Sequence, residues 1–90
     1  MVFEWDDDKQ EGNLEKHGVD FLDVVRMFAN LVLEWIDTRQ DYGEERTISI
    51  GFTEDDYFVV VSTWRSDRRR LISAWKAGRD EKEKYHDHHA

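Results

Sequence analysis

The sequence contains no cysteine. This excludes a disulfide scaffold, a thiolate zinc site and a cysteine nucleophile, and the core must hold itself without covalent staples. No apolar run approaches the roughly 18 residues that a membrane span needs. The N-terminus reads Met1-Val2-Phe3-Glu4-Trp5-Asp6-Asp7-Asp8 and lacks both a basic start and an apolar stretch, so no secretion signal is expected. There is no Walker loop, no GxGxxG, no HExxH and no zinc-ligand spacing. The expectation is a soluble, cytoplasmic protein that uses no cofactor, no metal and no membrane.

Ninety residues form one domain, 1–90, with no room for a second. Hydrophobic residues make up 39% and charged residues 38%, enough for one modest core and a heavily charged surface. The four Trp, three Tyr and five Phe argue against disorder, because charged disordered chains are poor in aromatics. The net charge is −8, and the acidic excess sits in the first half. Residues 65–84 instead hold eight bases against four acids. An anionic chain repels nucleic acid at long range, yet a local basic patch binds phosphate at short range. Against this stands the commoner case, a solvated charged face.

Phe3 and Trp5 share one face of a short extended segment. Asp6 can cap a helix reaching His17, with Asp7 and Asp8 near its positive end. That helix is polar nearly all round, so it bridges, lines something or is marginal. Lys9, Asn13 and Lys16 or His17 share a stripe on it, and Gly18 suits the left-handed position that ends helices. Asp20 opens a second helix to Ala29, with Phe21, Val24, Val25 and Phe28 at helical spacing. Four strands follow. They are Leu31 to Arg39, Arg46 to Thr53 (Ile48, Ile50 and Phe52 inward, Thr47, Ser49 and Gly51 outward), Tyr57 to Trp64, and Arg69 to Trp75. Short links favour antiparallel hairpins. Gly78 offers a cap, and Arg79 to His88 reads as a charged terminal helix, with His86, His88 and His89 in a solvated tail. The expected class is α+β, a two-layer design with one sheet face under the Phe21 helix and the other partly open.

Few residues are candidates for chemistry. His17 ends the polar helix, and an imidazole can take or give a proton near neutral pH. Arg46 opens the clearest strand behind Glu45. Arg65, Arg68, Arg69 and Arg70 crowd one hairpin, where alternation separates Arg69 from Arg68 and Arg70. Two or three such groups can clamp a phosphate, although on the residues alone a solubilising charged hairpin is the stronger explanation.

In order along the chain stand Phe3-Glu4-Trp5-Asp6 with Lys9, then Asn13 with Lys16-His17-Gly18-Val19 and Phe21. Next are Phe28, Glu45-Arg46 with Ile50-Gly51, Val60-Val61 with Thr63 and Arg65, Arg70 with Ile72-Ser73-Ala74, and Ala77 and Tyr85. This series resembles the BrnT toxins, the ribonuclease halves of BrnT/BrnA toxin–antitoxin pairs. The Asn-x-x-Lys-His-Gly-Val element is its most specific part. The resemblance implies a RelE-like fold and metal-independent cleavage of RNA by attack of a 2′-hydroxyl on its adjacent phosphate. It also implies neutralisation by a BrnA-like ribbon-helix-helix antitoxin, with two copies of each chain and DNA contacted only through the antitoxin.

Such a reaction needs a base, cations for the crowded phosphate and an acid for the departing 5′-oxygen. The cations implied are Lys9, Arg46, Arg65 and Arg70. His17 is the candidate for proton transfer. Tyr85 is a second, provided a cation lowers its pKa from about 10. Glu45 orients Arg46 or acts as a base. The family usually reads Ile-Ser-Ala-Arg where this chain has Ile72-Ser73-Ala74-Trp75. Together with the acidic balance, that departure leaves a second reading, a toxin-like module that binds antitoxin without cutting RNA. Without the resemblance, an unrelated acidic interaction domain remains open.

Overall fold

The computed structural model describes residues 2–89. Its elements are β1 (Val2–Glu4), α1 (Asp7–His17), α2 (Phe21–Val24) continued by a 3-10 turn (Val25–Ala29), β2 (Leu33–Ile36), β3 (Thr47–Phe52), β4 (Tyr57–Arg65), β5 (Arg68–Lys76) and α3 (Arg79–His89). The α+β class holds. The sheet, however, has five strands in the order β1-β5-β4-β3-β2, not four. It is also mixed, because β1 lies parallel to the start of β5. Three residues suffice for this extra strand because both of its faces are anchored. Phe3 packs on Phe28 at 5.3 Å, and Glu4 meets Arg70 at 2.7 Å.

The second helix keeps α geometry for only four residues and then tightens. Its fully buried side chains are Phe21, Val24 and Met27. Three-residue spacing suits a 3-10 helix, in which i and i+3 eclipse. These three join Val19, Phe58, Val60, Leu71 and Ala74 in a core on one face of the sheet.

The opposite face carries a second core, built from Leu33, Ile48, Ile50, Val59, Val61, Ala77 and Tyr85. Ile48, Ile50 and Phe52 point inward as expected, towards α3, but Thr47, Ser49 and Gly51 on the other face are buried too, not solvent-facing. Two contacts explain why that face is covered. A Cβ on Gly51 would lie 3.0 Å from Val32 Cγ1 and 3.3 Å from Met27, so only glycine fits there without displacing a neighbour. Ser49 Oγ lies 3.3 Å from Arg69, whose buried guanidinium pairs with Glu34 at 2.8 Å between the Phe28 and Trp64 rings.

The α3 helix reaches His89 and is no loose tail. Tyr85 is its anchor, 4% exposed, and its hydroxyl donates to the Leu31 carbonyl at 2.8 Å. Burial, with the nearby Tyr57, raises its pKa above the ordinary 10.0. The stabilisation from the neutral phenol is therefore full below pH 10 and lost as pH climbs through the folded value. Tyr85→Phe should cost about 1 kcal/mol at pH 7 and lose stability less steeply than the parent above pH 10, as followed by thermal melts. No helix among the described residues is long and apolar enough to cross a membrane.

Candidate functional site

α3 covers only part of its face of the sheet. The remainder is an open groove of about 790 Å³. Its floor is Val61, Ile72 and Ser73. On one side stand Lys16 and His17, on the other Asp37, Arg39, Tyr42 and Arg46, with Trp75 and Lys76 along the strand. A smaller hollow of about 300 Å³ shares Lys16, His17, Ile72 and Ser73, and extends the groove to Lys9, Gly12 and Asn13. Lys16, Arg39, Arg46 and Lys76 line it with one acid, Asp37, in a chain of net charge −8, and the Lys76 ammonium also lies 3.9 Å from Asp56. A bulge helps to shape the floor. Val61 pairs with Ser73 and Ser62 with Leu71, so Ile72 is the extra residue and it lines the groove beside Ser73.

The α1 wall is fixed by local chemistry. Asp6 caps the helix, accepting from Asp8 N at 2.9 Å and Lys9 N at 3.3 Å. Gly18, at φ 69°, closes it with a 2.8 Å bond to Leu14 O. In between, Asn13 is buried against the free edge of β5. Its amide nitrogen donates to Val19 O at 3.0 Å and Ala74 O at 2.9 Å. Its oxygen accepts from Ala74 N at 3.0 Å and Ser73 Oγ at 3.2 Å. The carboxamide stands in for a neighbouring strand, and it hangs the last turn of α1 over the groove. Lys16 and His17 there favour the negative end of the helix. The His17 ring lies 5.9 Å from that of Trp75. The Trp75 indole N–H donates to Glu81 at 3.3 Å, and Glu81 also caps α3 by accepting from Gly78 N at 2.7 Å.

The opposite wall is an irregular loop organised by one carboxylate. The Asp37 side chain is fully buried. It accepts from Arg39 N at 3.1 Å, Arg39 Nε at 2.9 Å, Arg39 Nη2 at 2.8 Å and the Tyr42 hydroxyl at 2.9 Å. The Arg39 side chain holds the Asp37 pKa far below the usual carboxylate range, and Asp37 pushes that of Arg39 up. The Arg46 guanidinium lies over the Tyr42 ring, 4.1 Å from its centre, with Nε 3.4 Å from Glu44.

Of the residues singled out by sequence, Lys9, His17 and Arg46 line the joined hollows. Arg70 does not. Its Nη1 is held by Glu4 at 2.7 Å, which draws the Glu4 pKa down. Arg65 lies 3.6 Å from Glu44. The Glu45 side chain is exposed outside the lining, and its carbonyl accepts from Thr63 Oγ1 at 2.8 Å. Tyr85 belongs to the core, away from the groove. As expected, Arg69 points to the other face from Arg70. The sequence reading missed Lys76, Asp37, Arg39 and Tyr42. The available signal was Asp37-x-Arg39, the spacing at which an aspartate bonds the backbone two residues on. Among the described residues, no three potential ligands gather to hold a metal ion.

No curated protein sequence matches this chain. Residues 5–81 match the family model described as ribonuclease toxin, BrnT, of type II toxin–antitoxin system. That span takes in both walls and the floor of the groove, and the chain belongs to this family of ribonuclease toxins.

Proposed function

We propose that the groove binds single-stranded RNA and cleaves it without a metal ion, by attack of a ribose 2′-hydroxyl on the adjacent phosphate. The supporting observation is the convergence of four cations and an imidazole on one concave surface of an otherwise anionic chain. Arg46 and Arg39 donate hydrogen bonds to the phosphate as charge builds on its oxygens, with Lys16 and Lys76 along the strand path. His17 moves the proton. The 2′-oxygen–phosphorus bond forms and the phosphorus–5′-oxygen bond breaks, leaving a 2′,3′-cyclic phosphate and a 5′-hydroxyl. Lys9 extends the path by one phosphate in the smaller hollow. Trp75 offers a ring on which a base can stack.

The fold on this reading is a RelE-like variant with a short parallel edge strand. The partner is a BrnA-like ribbon-helix-helix antitoxin, two copies of each chain forming the complex, and DNA is met only through that antitoxin. The setting is the cytoplasm. Trp75, in the place where the family usually has arginine, favours a second reading, an antitoxin-binding module without catalysis.

The purified chain should cut single-stranded RNA in the presence of EDTA, leaving cyclic-phosphate ends. RNA left intact at high protein concentration, while a ribbon-helix-helix partner still binds, would select the second reading.

A further inference from the structure

We infer that Asp37 is a positioning residue, whose buried carboxylate holds Arg39 directly, and Arg46 through the Tyr42 ring, so that both guanidinium groups face the groove. The inference rests on the reading of the groove as a phosphate site. The segment between Ile36 and Thr47 has no regular structure, and most of its side chains are exposed. Nothing apolar fixes its course. Four hydrogen bonds converge instead on the two oxygens of Asp37. The backbone closes the same loop, with Asp37 N donating to Arg46 O at 2.7 Å.

The consequences differ for the three partners. Arg39 commits Nε and Nη2 to Asp37 while its side chain stays 61% exposed, leaving Nη1 for a phosphate oxygen. Tyr42 spends its hydroxyl proton on Asp37, which removes it as an acid and fixes its ring as a platform. Arg46 sits over that platform with its guanidinium carbon 4.1 Å from the ring centre, so the ring limits where its charge can move. An arginine pre-ordered in this way loses less side-chain freedom on meeting phosphate. The Asp37–Arg39 pair is neutral as a unit and Glu44 stands 3.4 Å from Arg46, so what this wall offers a phosphate is a set of oriented N–H donors.

Asp37→Asn is nearly isosteric but cannot accept all four bonds. Two measurements follow. In the first, side-chain N–H signals of Arg39 and Arg46 are observed by NMR while inorganic phosphate is added. Both should shift in the parent and lose most of that response in Asp37→Asn. In the second, RNA cleavage by Asp37→Asn should fall at least about tenfold in kcat/KM. The slope of log affinity against log salt should shrink by about one, as one phosphate contact is lost. Tyr42→Phe keeps the platform and deletes only the hydroxyl, so it should fall between the two and serves if Asp37→Asn does not fold. Native amide spectra with an unchanged phosphate response in both variants would overturn the inference. Parent protein that responds to phosphate but leaves RNA intact would count against the ribonuclease reading and leave the positioning role standing.

Discussion

Replacing Asn13 by aspartate should destabilise the domain by about 2 to 4 kcal/mol, although the two side chains have nearly the same shape. Asn13 is 7% exposed and uses both ends of its carboxamide. The nitrogen faces two carbonyl oxygens, of Val19 and Ala74, at 3.0 and 2.9 Å. Aspartate turns that nitrogen into a third oxygen, so two attractive contacts become repulsive and a charge is buried beside them. In a domain of this size each kcal/mol shifts Tm by about 4–8 °C, so a loss of about 10 °C or more is expected. Burial and carbonyl neighbours raise the pKa of the new carboxyl above its unfolded value. A raised carboxyl binds more protons folded than unfolded, so the deficit should narrow as pH falls towards the unfolded value of about 4. Melting curves of parent and variant at pH 7 and pH 4.5 test both statements. The same change frees the last turn of α1 from β5, so Lys16 and His17 lose their position over the groove and RNA cleavage should fall with stability. A variant that melts with the parent would show that α1 is held by other contacts, such as Gln10 with Asp20 and Phe21 N.

Asn13 also shows what the sequence makes legible. The polar stripe containing Lys9, Asn13, Lys16 and His17 was readable from helical spacing, as were the Asp6 and Gly18 caps, because these signals are local. That Asn13 faces the sheet while its stripe-mates face the groove depends on a strand about sixty residues away, which no local pattern encodes. β1 is legible as a short strand but not as a member of the sheet, since its pairing is decided by Arg68–Arg70 at the other end of the chain. In β3 the alternation was read correctly and assigned the wrong environment. Thr47, Ser49 and Gly51 look solvent-facing until Arg69 and Met27 are brought over them. Met27 was passed over because the helix was read with a period of 3.6, where Phe21, Val24 and Met27 follow a period of three. Residues 37–39 read as the end of the first strand and 40–44 as a polar loop, yet β2 stops at Ile36 and the irregular segment after it supplies one wall of the groove. Polar residues in a loop give no periodic signal, and the clasp on Asp37 exists only once the chain has turned. Arg70 is the converse case. It shares a strand with the groove and belongs to the resemblance, but Glu4 holds it at 2.7 Å.

His17→Ala should lower kcat for RNA cleavage by about 10²- to 10⁴-fold while KM changes little. The imidazole stands at the end of α1 beside Trp75 and lines both hollows, so it is the side chain proposed to move the proton. Removing it leaves Lys16, Arg39, Arg46 and Lys76 in place to bind phosphate, which is why ground-state binding should survive. Arg46→Ala should behave differently. On the proposed reading Arg46 meets the phosphate before and during reaction, so its loss should raise KM, lower kcat and flatten the salt dependence together. His17→Gln keeps a polar side chain but cannot carry a proton, so it should lose activity as His17→Ala does. Thermal melts should be nearly unchanged, because His17 is exposed and no hydrogen bond among the described residues uses its ring. A His17→Ala protein with the parent's kcat would transfer the role to another group. Lys16, adjacent on the same turn and lining both hollows, is the residue the geometry would then put forward.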